Sequence, residues 1–205
     1  MINAKVRAGW DKLMRPVGRT LAKSGLSPNA VTLFGVALHA VIAVWIAQGR
    51  FLLAGLVAIV AAFSDAFDGA VAKARGLTST FGALLDSTTD RVSDALIFLP
   101  IAWVYGVRPD LPSHDHPWVA GLAMGTLVAS FLVSYVKARA EGLGFDCNVG
   151  FAERAERLIL IIAALILDIV PAMLVILCAA SVITFFQRLF HVRKQVTRKT
   201  VDATR

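Results

Sequence analysis

Charge is scarce in this chain. Asp, Glu, Lys and Arg together make up 17% of its 205 residues, where an ordinary soluble domain carries about 25%. A surface facing water on all sides needs more, so a soluble globular domain is excluded. Cysteine is nearly absent: Cys147 and Cys178 are the whole complement, too few for a disulfide framework. The N-terminus lacks a short apolar core followed by small residues, so no secretory signal is expected. Internal repeats and low-complexity tracts are also missing.

Apolar sequence fills the chain instead. Hydrophobic residues account for 57% of it, and the mean hydropathy is +0.69. Mainly apolar runs recur at about the 20-residue length that crosses a bilayer as helix. The reading is an all-α polytopic membrane protein with six transmembrane helices, at about 29–48, 51–73, 82–106, 117–140, 152–170 and 171–190. Residues 158–187 are apolar nearly throughout. They are divided at "LDIVPAML", because Asp168 and Pro171 suit a turn better than a bilayer centre. Without that division there are five spans. Residues 1–193 then form one membrane domain, and 194–205 a frayed basic tail.

Cation placement orients the spans. With the N-terminus in the cytoplasm, 19 of 21 cations fall on the cytoplasmic side, and only Arg50 and Arg108 on the other. That matches the positive-inside rule, and predicts a multi-pass protein of the cell membrane with both termini cytoplasmic. The net charge of +7 is then spent on anionic headgroups of membrane lipids, and no nucleic-acid partner is expected. Ahead of the first span, Val6, Trp10, Leu13, Met14, Val17 and Leu21 recur at helical spacing among cations. Residues 4–23 are therefore expected to form an amphipathic helix lying in the membrane interface.

Against this background the stretch "SDAFDGAVAKARGLTSTFGALLDSTTD" is anomalous. An Asp at a span centre costs about 2.5–3.5 kcal/mol, so four would cost roughly 10 kcal/mol unless shallow or compensated. Asp65 and Asp68 are three apart, and Asp86 and Asp90 four apart, so each pair shares a helix face. The short "KARGLTST" connection suggests an antiparallel hairpin that brings the pairs together. Converging carboxylates repel unless cations sit among them. Hard oxygen donors suit magnesium, manganese or calcium. Gly69 and Gly82 leave clearance for a close approach, while Lys73 and Arg75 lie beyond the acids, placed for phosphate. Interhelical polar contacts with no ligand could explain one or two of these carboxylates, but not four in this pattern.

The stretch closely resembles the signature of the CDP-alcohol phosphotransferases, D-x2-D-G-x2-A-R-x8-G-x3-D-x3-D. Asp65, Asp68, Gly69, Ala72, Gly82, Asp86 and Asp90 are all in register; Lys73 stands where the family has Arg, keeping the charge but losing the bidentate fork. The resemblance implies two divalent cations, Mg2+ or Mn2+, held by Asp65, Asp68 and Asp86. Asp90 would be the general base and also touch a metal. It implies CDP-diacylglycerol as donor, with Asn29, Thr32, Gly69, Lys73 and Ser79 near the nucleotide. It also implies a homodimer.

A second basic cluster bears on the acceptor. Lys137 and Arg139 end the fourth span, Arg154 and Arg157 begin the fifth, and Arg188 lies within "FFQRLF". A neutral alcohol needs no such density, whereas an acceptor with its own phosphate does. The cluster is similar to that of family members using inositol phosphate, the bacterial phosphatidylinositol-phosphate synthases and their archaeal archaetidylinositol-phosphate counterparts. By that likeness Ser134, Lys137, Arg154 and Arg188, with Arg157 as a further candidate, bind the acceptor phosphate. Glycerol 3-phosphate, also phosphorylated, remains the alternative acceptor. From a different class, a divalent-cation transporter would place its acids near the midplane and would not need the basic clusters.

Overall fold

A computed structural model describes residues 28–75, 79–111, 116–150 and 154–203; side chains are described for these except at 28, 64–75, 154–155 and 199–203. The expected interfacial helix 4–23 lies outside the described residues. Those that are described form six helices: α1 (Pro28–Ala47), α2 (Phe51–Arg75), α3 (Thr80–Val107), α4 (Trp118–Gly142), α5 (Arg154–Leu167) and α6 (Val170–Ala203). Asn29–Ala47, Trp118–Gly142 and Val170–Arg198 are long and apolar enough to cross a membrane, and Phe51–Phe63 is a shorter apolar stretch. Large apolar side chains such as Leu33, Phe34, Val60, Leu99, Trp103 and Ile183 are exposed, which water would penalise and lipid does not.

Local chemistry sets the boundaries. The α5–α6 break falls at Asp168, whose φ of 53° is left-handed, and the Ile169 N–H closes back on the Ala164 carbonyl at 3.0 Å. This is the Schellman reversal, and Pro171 follows in the first turn of α6, where its missing N–H is harmless. α1 and α4 end the same way on Gly49 and Gly144. α3 opens on Ser79, whose hydroxyl accepts the Gly82 N–H at 2.9 Å.

Packing closes the helices into a ring, in the order α1, α2, α5, α6, α4, α3 and back to α1. The expected hairpin turns on residues 76–78, which lie outside the described residues. Among those that are described, α1 packs against both α2 and α3. α3 and α5 face each other across the ring.

Every helix contributes to one apolar core, which among the described residues lies toward one end of the bundle. Ile42 and Ile46 of α1, Ala54 to Ala61 of α2, Ile97 to Tyr105 of α3, Val119 to Leu127 of α4, Ile161 to Leu165 of α5 and Val170 to Leu177 of α6 make up the buried cluster. At 1.5 Å per residue this core reaches about 15 Å from the closed end, where α1, α3 and α5 finish. Beyond it polar side chains join the buried set: Asp94, Ser130, Arg157, Ser181, Thr184 and Arg188, beside Ala129, Val133 and Ala140.

One difference from the sequence reading concerns the C-terminal end. α6 runs to Ala203, so residues 194–203 are helical and not a frayed tail; nothing after Pro171 is a glycine or proline that would stop the helix. Gln195 also holds the body of the domain, accepting from the Asp146 N–H at 3.2 Å and donating to its carbonyl at 2.6 Å. α5 is described from Arg154 to Leu167, 14 residues or about 21 Å, within the expected span 152–170.

Candidate active site

Helix arithmetic assembles the candidate residues before any side chain is considered. Measured from the closed end, positions 29 and 32 of α1, 65, 68, 69 and 73 of α2, 86 and 90 of α3, 134 and 137 of α4, 154 of α5 and 188 of α6 all fall about 20–33 Å along their helices. They form one layer directly above the apolar core. The side chains of Asp65, Asp68, Lys73 and Arg154, and the surroundings of Gly69, lie outside the described residues; their backbone positions belong to this layer.

On the α1–α3 side the contacts are explicit. A Cβ built on Gly82 would meet the Ser79 Oγ at 3.0 Å and the Asn29 Oδ1 at 3.8 Å. Asn29, Ser79 and Gly82 therefore meet at the mouth, although 50 residues separate the first two in sequence. Asp86 is exposed one turn further in, and Asp90 is half-buried, 3.3 Å from the Arg91 guanidinium. Thr32 lies one turn beyond Asn29 and is also half-buried.

The α4–α6 side is organised by the segment 145–150, which is laid along one face of α6. The Gly150 backbone presses on the Thr184 side chain so closely that any Cβ would collide, and its φ of 131° is open to glycine. One turn on, Arg188 donates from Nε to the Val149 carbonyl at 2.9 Å and from Nη1 to the Val133 carbonyl of α4 at 2.7 Å. Gln195 then takes Asp146. Positions 184, 188 and 195 share one helix face. Burial pushes the Cys147 thiol in this segment above its ordinary value. Arg188 is thus buried and turned inward, beside Ser134, whose hydroxyl donates to the Ser130 carbonyl at 3.0 Å. Lys137, one turn along α4, is half-buried with Nζ 3.8 Å from Glu141.

Asp94 was not singled out in the sequence. It continues the Asp86–Asp90 spacing by one more turn, a D-x3-D-x3-D signal that was available. Its Oδ2 accepts from Arg157 Nη2 at 2.6 Å, and the two side chains are only 10% and 8% exposed. This bond crosses the ring and forms the floor of the polar layer.

Carboxylate positions on α2 and α3, with cations on α4, α5 and α6, suit a reaction between two phosphate-bearing molecules. Residues 26–191 match the CDP-alcohol phosphatidyltransferases. The chain is a member of that family. Its enzymes are transferases, and the apolar helices make this member an integral membrane protein. It is 36% identical to an archaetidylinositol phosphate synthase of Pyrococcus horikoshii over 194 residues, covering 94% of this chain and 97% of that one. It is also 36% identical to a phosphatidylinositol phosphate synthase of Mycobacterium tuberculosis over 196 residues, covering 91% and 88%. The fold superposes on crystal structures of a M. tuberculosis phosphatidylinositol phosphate synthase. The TM-score is 0.80 for the form with CDP-DAG bound (31% identity; 88% and 94% covered) and 0.78 for the complex with manganese and citrate (32%; 87% and 88%).

Proposed function

We propose that this transferase moves a phosphatidyl group from CDP-diacylglycerol to a hydroxyl of inositol phosphate, releasing CMP and forming phosphatidylinositol phosphate. One observation carries the reading: the two sets of phosphate-binding candidates occupy opposite arcs of one ring at one depth. Asn29, Thr32, Gly69, Lys73 and Ser79, on and beside α1, α2 and α3, serve the cytidine nucleotide. Ser134, Lys137, Arg154 and Arg188 on α4, α5 and α6 serve the acceptor phosphate, with Arg157 beneath them. The names of the relatives support the same substrates.

Asp65, Asp68, Asp86 and Asp90 offer hard oxygen donors on two helices at matching depth, a set suited to two Mg2+ or Mn2+ ions. Bound there, the cations would neutralise the pyrophosphate and stabilise the departing CMP. The chain's own residues supply the rest. Asn29 and Ser79 line the gap opened by Gly82, and the α4–α6 cations fix the acceptor by its phosphate. An Asp90 carboxylate oxygen takes the proton as the acceptor oxygen attacks the lipid-side phosphorus. The apolar core below limits water to the mouth. The protein spans the membrane six times, with 4–23 as interfacial helix, the site facing the cytoplasm, and a homodimer as assembly.

The test is CMP release by purified protein with magnesium or manganese, comparing inositol phosphate, glycerol 3-phosphate, free inositol and serine. Turnover with inositol phosphate is expected; turnover only with glycerol 3-phosphate would overturn the acceptor assignment. Asp90→Asn should lose turnover yet keep CDP-lipid binding. The likeness to the Pyrococcus enzyme favours a second reading of the lipid, an archaeol-type donor, which a CDP-archaeol arm distinguishes.

A further inference from the structure

Asp94 has no part in the chemistry just described, and it takes up Arg157, the remaining candidate for the acceptor phosphate; the burial of both needs a reason. The ion pairs Asp90–Arg91, Arg108–Asp110 and Lys137–Glu141 join residues within four positions of one another. Asp94–Arg157 joins residues 63 positions apart, on helices that face each other across the ring, through a 2.6 Å bond with both side chains almost excluded from solvent. Well-packed apolar residues usually serve stability at such a position as well or better. What a charged hydrogen bond adds over an apolar contact is direction and distance.

The pair also fixes a displacement. Asp94 lies about 21 Å along α3 from its first residue, whereas Arg157 lies only about 4.5 Å along α5. Their contact sets position 154 of α5 deep in the bundle, below the start of α3, even after the length of both side chains is allowed for. One turn above Asp94 on the same face of α3 is Asp90. One turn above Arg157 on α5 is position 154. Whatever fixes Asp94 against Arg157 therefore fixes the proposed base against the proposed acceptor-phosphate site.

We propose that the Asp94–Arg157 pair is a positioning brace: it holds the recessed first turn of α5 at a set depth and distance from α3, so that the acceptor's phosphate and its attacking hydroxyl reach Arg154 and Asp90 together. The inference rests on the proposed reading of the site. It makes Asp94 a specificity-determining residue for the length of the acceptor, and leaves the CDP-lipid side, built on α1, α2 and the mouth of α3, independent of the brace.

The experiment compares wild type, Asp94→Asn, Arg157→Lys and the apolar double variant Asp94→Leu/Arg157→Met. Each is measured for thermal unfolding in detergent and for separate KM and kcat values with CDP-diacylglycerol and inositol phosphate. The single Asp94→Asn leaves a buried guanidinium without its anion and is expected to unfold earlier. The double variant removes both charges and should recover the unfolding temperature. Its KM for inositol phosphate should remain raised on the order of ten- to a hundred-fold, the scale of a misplaced reactant, with the KM for CDP-diacylglycerol within two-fold of wild type. Arg157→Lys keeps the charge with one donor group and should fall between; it carries the test if the double variant does not fold. Wild-type KM and kcat for inositol phosphate in the double variant, or in Arg157→Lys where that variant decides, overturn the brace. So does an equal rise in both substrates' KM. A wild-type enzyme that does not use inositol phosphate refutes the functional reading itself, an outcome read before any variant is made.

Discussion

Alanine at position 82 would place a methyl carbon 3.0 Å from the Ser79 hydroxyl oxygen and 3.8 Å from the Asn29 side-chain oxygen. The first distance is tighter than most real contacts and the second is ordinary, so the burden falls on Ser79. That hydroxyl caps α3 by accepting the Gly82 N–H. If it swings away, the cap is lost, at about 1 kcal/mol. Alanine in place of glycine within a helix returns about 0.8–1 kcal/mol. The two nearly cancel, so Gly82→Ala is expected to unfold close to wild type, whereas Ser79→Ala, which loses the cap without the helix gain, is the less stable variant. Activity should not follow stability. The methyl fills the gap between α1 and the first turn of α3, where the cytidine nucleotide is proposed to lie. A loss of about 1.4 kcal/mol in binding corresponds to a ten-fold rise in KM for CDP-diacylglycerol, with the KM for inositol phosphate unchanged. Thermal unfolding in detergent and initial rates of CMP release at varied CDP-lipid measure both. An unchanged KM for CDP-diacylglycerol would refute the clearance argument. An unfolding temperature below that of Ser79→Ala would refute the near-cancellation.

Arg188→Lys keeps the charge but cannot reproduce the fork reaching the Val149 and Val133 carbonyls. It should lose about 1–2 kcal/mol of stability with one charged hydrogen bond, and raise the KM for inositol phosphate while sparing CDP-diacylglycerol; retention of wild-type values by both measures would remove Arg188 from the site. At the closed end, hydrogen bonding from Arg108 holds the Asp110 carboxyl down at about 2, from an ordinary 3.8, and Arg108 also donates to the Ala47 carbonyl at 2.6 Å. A depressed folded-state value stabilises above the unfolded one and is lost as pH falls through the folded one. The small difference in unfolding temperature between wild type and Asp110→Asn should be present at pH 6 and close between about 4 and 2; a gap that stays constant with pH would count against the pair.

Much of the site was legible because its chemistry is written at fixed spacings. Asp86 and Asp90 could be paired from their separation alone, and the break at Asp168 from the conflict between a charge and a bilayer centre. Asp94 obeyed the same four-residue rule but falls one turn past the end of the family signature, at the edge of the apolar run that begins at Ala95. Its meaning depends on Arg157, 63 residues away, and no local pattern connects the two. Arg188 looked out of place among aromatics. Its backbone-carbonyl partners carry no side-chain signal, so sequence could mark the residue but not the segment it holds. Gln195 left no trace at all, and with it the reason α6 extends past the expected end of the domain.

The sequence by itself determined the class of molecule, the helical repeat, and the residue types that make up the polar layer, because transfer free energies and helix periodicity are local properties. Tertiary structure alone decided which helices are neighbours. α1 packs against both α2 and α3, and the ring that results divides the candidate residues into two facing arcs. It also decided how the first described turn of α5 meets α3, since the buried bond from Arg157 to Asp94 joins residues 63 positions apart. Distances between segments remote in the chain depend on packing, and no periodicity within a segment encodes them.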